Sequence, residues 1–129
     1  MSTTASRIST IGLVSVPSVD QDKAIAFYTD VLGFEKRTDI PFGDNYRWVE
    51  VYPPSGNTGV ALAPPPPGSA TKMETGIILN TDDIEATYSA LQERGVDVDA
   101  EISRMGDPIP PMFWFRDPNG NSLLIVQTS

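Results

Sequence analysis

At 129 residues the chain holds enough material for one domain with its own core. It has neither cysteine nor histidine, which excludes disulfides, thiolate nucleophiles, Cys-ligated zinc or iron–sulfur centres, and the imidazole that most often binds transition metals or moves protons near neutrality. Seventeen acidic against 9 basic side chains give a formal net charge of −8, which argues against nucleic acid and anionic membranes as partners.

Residues 1–10 are rich in Ser and Thr, with Arg7 and no apolar run, so they do not read as a signal peptide. No apolar stretch approaches the roughly 20 residues a membrane span needs. A soluble cytoplasmic protein is the expectation. Residues 11–16 alternate and are β-rich, predicting a strand. Asp20 then stands where an N-cap belongs, Ile25, Tyr28 and Leu32 recur at helical spacing, and Gly33 closes the helix as a C′ residue. Three strands follow at 34–39, 46–52 and 58–63, separated by turn signals at 41–45 and 53–57. Residues 64–72 open with four prolines and run into small flexible residues, which suits an inter-module linker better than a PxxP ligand.

The order then repeats. A strand at 76–80 leads to a D-x-x-E capping box from Asp82 to Glu85, a helix carrying Ile84, Tyr88 and Leu91, and a stop at Gly95. Further strands are predicted at 96–102, 113–116 and 121–127, the last two joined by a tight turn from Asp117 to Gly120. The copies align residue by residue: Asp20, Ala24 and Gly33 in the first match Asp82, Ala86 and Gly95 in the second. The fold class is therefore α+β, with two tandem βαβββ modules at 10–63 and 73–127.

Val19 to Tyr28, Val31 to Phe34 and the closing Phe115 to Asn121 fall in the order and spacing that resemble the vicinal oxygen chelate superfamily, which holds glyoxalase I, the bleomycin-resistance proteins and the extradiol dioxygenases. The likeness runs from about Ile11 to Gln127 as a single domain over the chain. In metal-dependent members, the resemblance implies two ligands from each module, one on its first strand and one on its last. Carried onto this chain, those places are Leu13, Ala61, Gly76 and Leu124. None can bind a metal, so neither metal nor other cofactor is expected. The resemblance also implies that the modules form a curved mixed sheet around a concave cavity, and it implies a homodimer.

Strand parity assigns the cavity lining. Leu13 and Ser15 share a face, as do Gly59, Ala61 and Ala63, then Gly76, Ile78 and Asn80, then Ser122, Leu124 and Val126. Their neighbours Val14, Val16, Val60, Leu62, Ile77, Leu79, Leu123 and Ile125 are uniformly large and apolar, as a surface beneath helices should be. Within 46–52, the same alternation turns Tyr46, Trp48, Glu50 and Tyr52 inward, with Trp48 a stacking wall and Glu50 an anchor for a cation or a base. Phe113, Trp114 and Phe115 form a further aromatic run, of which at least one should reach the cavity. Arg47 lies on the other face and Arg116 adjoins a turn, whereas Arg104 belongs to an irregular 102–111 loop, edged by Met105 and Met112, that could act as a lid.

Three functions fit. The first is a metal-free protein that binds a small aromatic or cationic molecule by sequestration, as the bleomycin-resistance proteins do. The second is a metal-independent isomerase or lyase working through a cavity carboxylate, with Glu50 the catalytic candidate. The third is a metal-dependent glyoxalase or dioxygenase, for which only oxygen donors such as Glu50, Glu74 and Asn80 remain, a set suited to hard cations.

Overall fold

The computed structural model describes residues 6–128. Each half of the chain builds one four-stranded sheet. The first has the order β1-β4-β3-β2, from β1 (Leu13–Pro17), β2 (Glu35–Phe42), β3 (Tyr46–Tyr52) and β4 (Gly59–Ala63). The second has the order β5-β8-β7-β6, from β5 (Glu74–Thr81), β6 (Asp97–Val98), β7 (Met112–Arg116) and β8 (Ser122–Gln127). In both, the first and last strands of the module pair in parallel and the remaining pairs are antiparallel. Ser15 pairs with Ala61 and Ile78 with Leu124, so the two sheets share one register frame.

The helices are set by their caps. Asp20 accepts a hydrogen bond from the Lys23 amide (3.0 Å) and starts α1 (Gln21–Ala26), which continues as a π-helical turn over Phe27–Val31. In the second module the cap is Asp83, not Asp82: its carboxylate accepts from the Ala86 amide (3.0 Å) and opens α2 (Ile84–Glu93). Gly33 thus stands one residue further from its cap than Gly95 does, and the π turn absorbs that residue. Both glycines have positive φ, +81° and +77°, the left-handed geometry of a C′ position.

One apolar core spans both modules. Val16, Val49, Val51, Val60 and Leu62 of the first sheet and Phe113, Phe115, Leu123 and Ile125 of the second face it, with Phe27 and Tyr28 of the first helix and Ile84 and Leu91 of α2 between them. The Phe27 and Phe115 rings lie 6.2 Å apart, centroid to centroid. A polar knot closes the seam: the Tyr28 hydroxyl donates to Asp117 (2.9 Å), which also accepts from the amides of Asn119 and Asn121 and from Asn121 Nδ2. Asn121 Nδ2 and Asn119 Nδ2 both donate to the Pro17 carbonyl, fastening the β7–β8 turn to the end of β1. No helix is long and apolar enough to cross a membrane among the described residues.

Three further expectations need correction. The strand expected at 96–102 shrinks to Asp97–Val98 plus a single bridge from Ser103 to Met112. Phe113 and Phe115, counted as cavity candidates, are fully buried in the core, because β7 runs without a bulge and its alternation turns only Trp114 outward. Gly76 is no regular strand position: the β5–β8 register slips between Glu74 and Ile78, and Gly76 sits in the slip with φ +72°.

Candidate ligand-binding face

Because both sheets turn their large apolar face to the shared core, their opposite faces point away from it. The predicted lining residues therefore divide between two outer faces within one chain. Leu13, Ser15, Tyr46, Trp48, Glu50 and Ala61 lie on the first sheet, and Gly76, Ile78, Asn80, Trp114 and Leu124 belong to the second.

The first outer face centres on Glu50. It stands between the fully buried Val49 and Val51 on β3, in register with Ala61 of β4 on one side and Thr38 of β2 on the other. Its same-face neighbours two residues away both donate to it: Trp48 Nε1 to Oε2 at 2.7 Å, and the Tyr52 hydroxyl to Oε1 at 2.8 Å. The hydrogen bond to Glu50 pushes the Tyr52 phenol above its ordinary pKa, with burial and the carboxylate's charge acting in the same direction and Arg37 opposing. Beyond Trp48 the aromatic surface continues. Phe42 lies 6.3 Å from the Trp48 ring, edge to face, and 6.2 Å from Tyr46. Phe42 is 58% exposed and Tyr46 44%, so the rings present a contiguous aromatic patch to solvent.

The second outer face is more apolar. Ile78, Leu124 and Trp114 lie in one register row across β5, β8 and β7, and Ile78 (59% exposed) and Trp114 (37%) are open to solvent. Met112 shares the Trp114 face. Arg116, at the rim, pairs with Asp99 (2.9 Å). Between β5 and the first module lies a groove of about 650 Å³, lined by Val14, Phe34, Gly59 and Val60 on one side and by the predicted Gly76, Ile78 and Asn80 on the other.

The basic candidates are engaged elsewhere. Arg47 bonds Asp39 and Asp22 on the helix side of its sheet, holding the Asp39 carboxyl well below the usual range. Arg104 reaches Glu85 at the start of α2 (3.3 Å), so its side chain serves the helix edge and not the outer face.

A family metal does not fit. Leu13, Ala61, Gly76 and Leu124 carry no donor atom in their side chains. The oxygen set Glu50, Glu74 and Asn80 is not assembled either, since Glu50 lies in one sheet and the other two on β5 of the other. Among the described residues no group of three His, Cys, Asp or Glu is placed to hold an ion.

Sequence reasoning missed Phe42, assigned to a turn because of Pro41 and Gly43, although Thr38, Ile40 and Phe42 continue the period-two alternation through β2. It also missed Arg37, whose role depends on a bulge that no local pattern announces.

The chain matches the model of the Glyoxalase/Bleomycin resistance protein/Dioxygenase superfamily over residues 10–125. The protein YurT of Bacillus subtilis is 32% identical over 91% of this chain and 98% of its own length. The crystal structure of TnmS3, an antibiotic binding protein from Streptomyces sp. CB03234, is 36% identical with a TM-score of 0.81, covering 97% of this chain and all of that one. A superfamily member from Sphaerobacter thermophilus DSM 20745 superposes with a TM-score of 0.86 at 36% identity, over 94% of this chain and 98% of its own. Family model, relatives and architecture agree, and the chain belongs to the Glyoxalase/Bleomycin resistance protein/Dioxygenase superfamily.

Proposed function

We propose that this chain is a cytoplasmic binding protein that sequesters a small planar aromatic molecule carrying positive charge, on the outer face of the first sheet and without a metal. The observation that carries this reading is Glu50, held as a carboxylate acceptor between the Trp48 indole and the Tyr52 phenol, next to the half-open Phe42 and Tyr46 rings. A flat cation would stack on the rings while its charge meets Glu50, with each stacked pair contributing about 0.5–1.5 kcal/mol beyond area burial. The net charge of −8 favours its approach. The description of TnmS3 as an antibiotic binding protein, at 36% identity over nearly the whole chain, supports the same reading. Catalysis by Glu50 is less well supported, because the polar groups beside it, Trp48 Nε1 and the Tyr52 hydroxyl, are both donors already committed to its two oxygens.

The test is quenching of tryptophan fluorescence by proflavine, a planar cation, set against naphthalene sulfonate, an anion. Saturable quenching by proflavine is expected, weakened about tenfold in Glu50→Gln through loss of a charged acceptor. Equal affinity for the two probes, or no saturable response to proflavine, would refute the reading.

A second copy of the chain would close this face. Among the described residues, sheet edges β1 and β5 each pair on one side only, and Leu13 and Ile78 on them and Trp114 two strands in are exposed. Joining β1 of one copy to β5 of another, twice about a twofold, would set Trp114 and Ile78 of one outer face against Trp48 and Glu50 of the other. Sedimentation should give a dimer for the native chain and a monomer for Ile78→Glu. A native monomer at micromolar concentration would refute the pairing.

A further inference from the structure

Among the described residues, Arg37 is the one residue of β2 with no register partner on β3. Lys36 pairs with Val51 and Thr38 with Glu50, so two residues of β2 occupy the space of one, and the bulge turns Arg37 onto the outer face. There its guanidinium lies 4.5 Å from the centre of the Tyr52 ring. Its N–H groups donate to the carbonyls of Gly56 (3.1 Å) and Pro54 (3.1 Å), in the turn that leads from β3 to β4, and to Glu35 Oε1 on its own strand (3.1 Å). The Tyr52 ring is also packed against Gly59, where an added methyl would stand 2.6 Å from the ring's Cζ. The ring therefore has little freedom, and its hydroxyl ends 2.8 Å from Glu50 Oε1.

We propose that Arg37 is a positioning residue for Glu50: it locks the Tyr52 ring against Gly59, and the ring's hydroxyl in turn sets the carboxylate at the ligand face. The consequence for binding rests on the function proposed above, whereas the clamp itself does not. A lysine could not replace Arg37, since its ammonium cannot cover the ring and reach two turn carbonyls and Glu35 together. Gly59 is required for a different reason, because any side chain there displaces the ring.

Spectrophotometric titration of the tyrosines, with Tyr52→Phe to isolate the Tyr52 signal, separates a clamp from a nearby charge. The charged groups facing this phenol are Glu50 from its own strand and Arg37 and Glu35 from β2. Arg37's charge favours the phenolate and Glu50 disfavours it. If Arg37 acts only as a charge, Arg37→Ala must raise the Tyr52 titration further. If it acts as a clamp, Arg37→Ala releases the ring from Glu50 and the titration falls toward the ordinary value of 10.0. Gly59→Ala should also lower it, with the Arg37 charge intact, and Arg37→Lys should fail to restore it. Proflavine affinity should drop about three- to tenfold in Arg37→Ala, the scale of one lost hydrogen bond. A Tyr52 titration that stays or rises in Arg37→Ala overturns the clamp. Should Gly59→Ala not fold, the two exposed Arg37 variants decide the question. A native chain that takes up no proflavine overturns the ligand reading, and the clamp is then judged on the phenol titration.

Discussion

Tyr28→Phe tests how the two modules are held together. The substitution keeps the ring, which is fully buried against Phe27 (5.4 Å) and Phe34 (5.9 Å), and removes only the hydroxyl that donates to Asp117. A hydrogen bond to a charged acceptor contributes about 1.5–3 kcal/mol. Asp117 keeps three other donors, from Asn119 and Asn121, so the loss belongs toward the lower end, about 2 kcal/mol. With an unfolding entropy of roughly 2.1 cal/mol/K per residue, a chain of this length should lose about 7 °C in Tm. The pH dependence adds a second signature. Burial first, then the charge of Asp117, then the hydrogen bond to it, push the Tyr28 phenol far above its ordinary 10.0. The folded chain keeps this proton where the unfolded chain gives it up, so the stability involved is complete below pH 10.0 and is lost as the pH rises beyond it. Tyr28→Phe should therefore be less stable at neutral pH and lose less on going alkaline. Thermal melts followed by circular dichroism, at neutral pH and above pH 10.0, measure both. A Tm within about 2 °C of the native chain, or an unchanged alkaline slope, would show that the bond does not hold the seam.

Asp39→Asn should flatten the acid limb of the stability curve. Hydrogen bonds from Arg47 and then Lys36 depress the Asp39 carboxyl below its ordinary 3.8, so its contribution is present above that value and lost as the pH falls through the depressed range. At neutral pH the cost should stay within about 1 kcal/mol, since the pairs are surface ones, and urea melts at two pH values check the sign. Phe115→Ala should cost about 3–5 kcal/mol and lower the urea midpoint in a single transition for the whole chain. Two separated transitions would refute one core shared between the modules.

The βαβββ repeat was legible because it is written in local chemistry: apolar alternation, an Asp cap and a terminal glycine in each half. What misled was a pair of offsets. Matching Asp20 with Asp82 aligns the closing glycines, whereas the strands and the true caps, Asp20 and Asp83, require one residue more. The π turn at Phe27–Val31 reconciles the two, and no sequence pattern marks it because its residues keep ordinary helical side chains. The facing of the candidate residues was legible where parity governs. Trp48 and Glu50 on β3 face outward as alternation requires, because Val49 and Val51 are needed in the core. It failed where geometry is tertiary: the bulge that aims Arg37, the slip at Gly76, and the turning of the two outer faces away from each other around a common core.

That last arrangement explains why the frame of ligand positions and the aromatic face bear on one another. Ala61 occupies one of the four positions, is almost wholly buried, and stands directly opposite Glu50 in the β3–β4 ladder. Side chains so paired have their Cβ atoms about 5 Å apart, and like charges there repel. A carboxylate at position 61 would crowd the space in which Glu50 meets Trp48 and Tyr52 and would set a second negative charge beside it. The small residue at 61 and the doubly bonded carboxylate at 50 therefore belong together. At this row of the sheet the small Ala61 side chain leaves the Glu50 carboxylate room to accept from Trp48 and Tyr52 together.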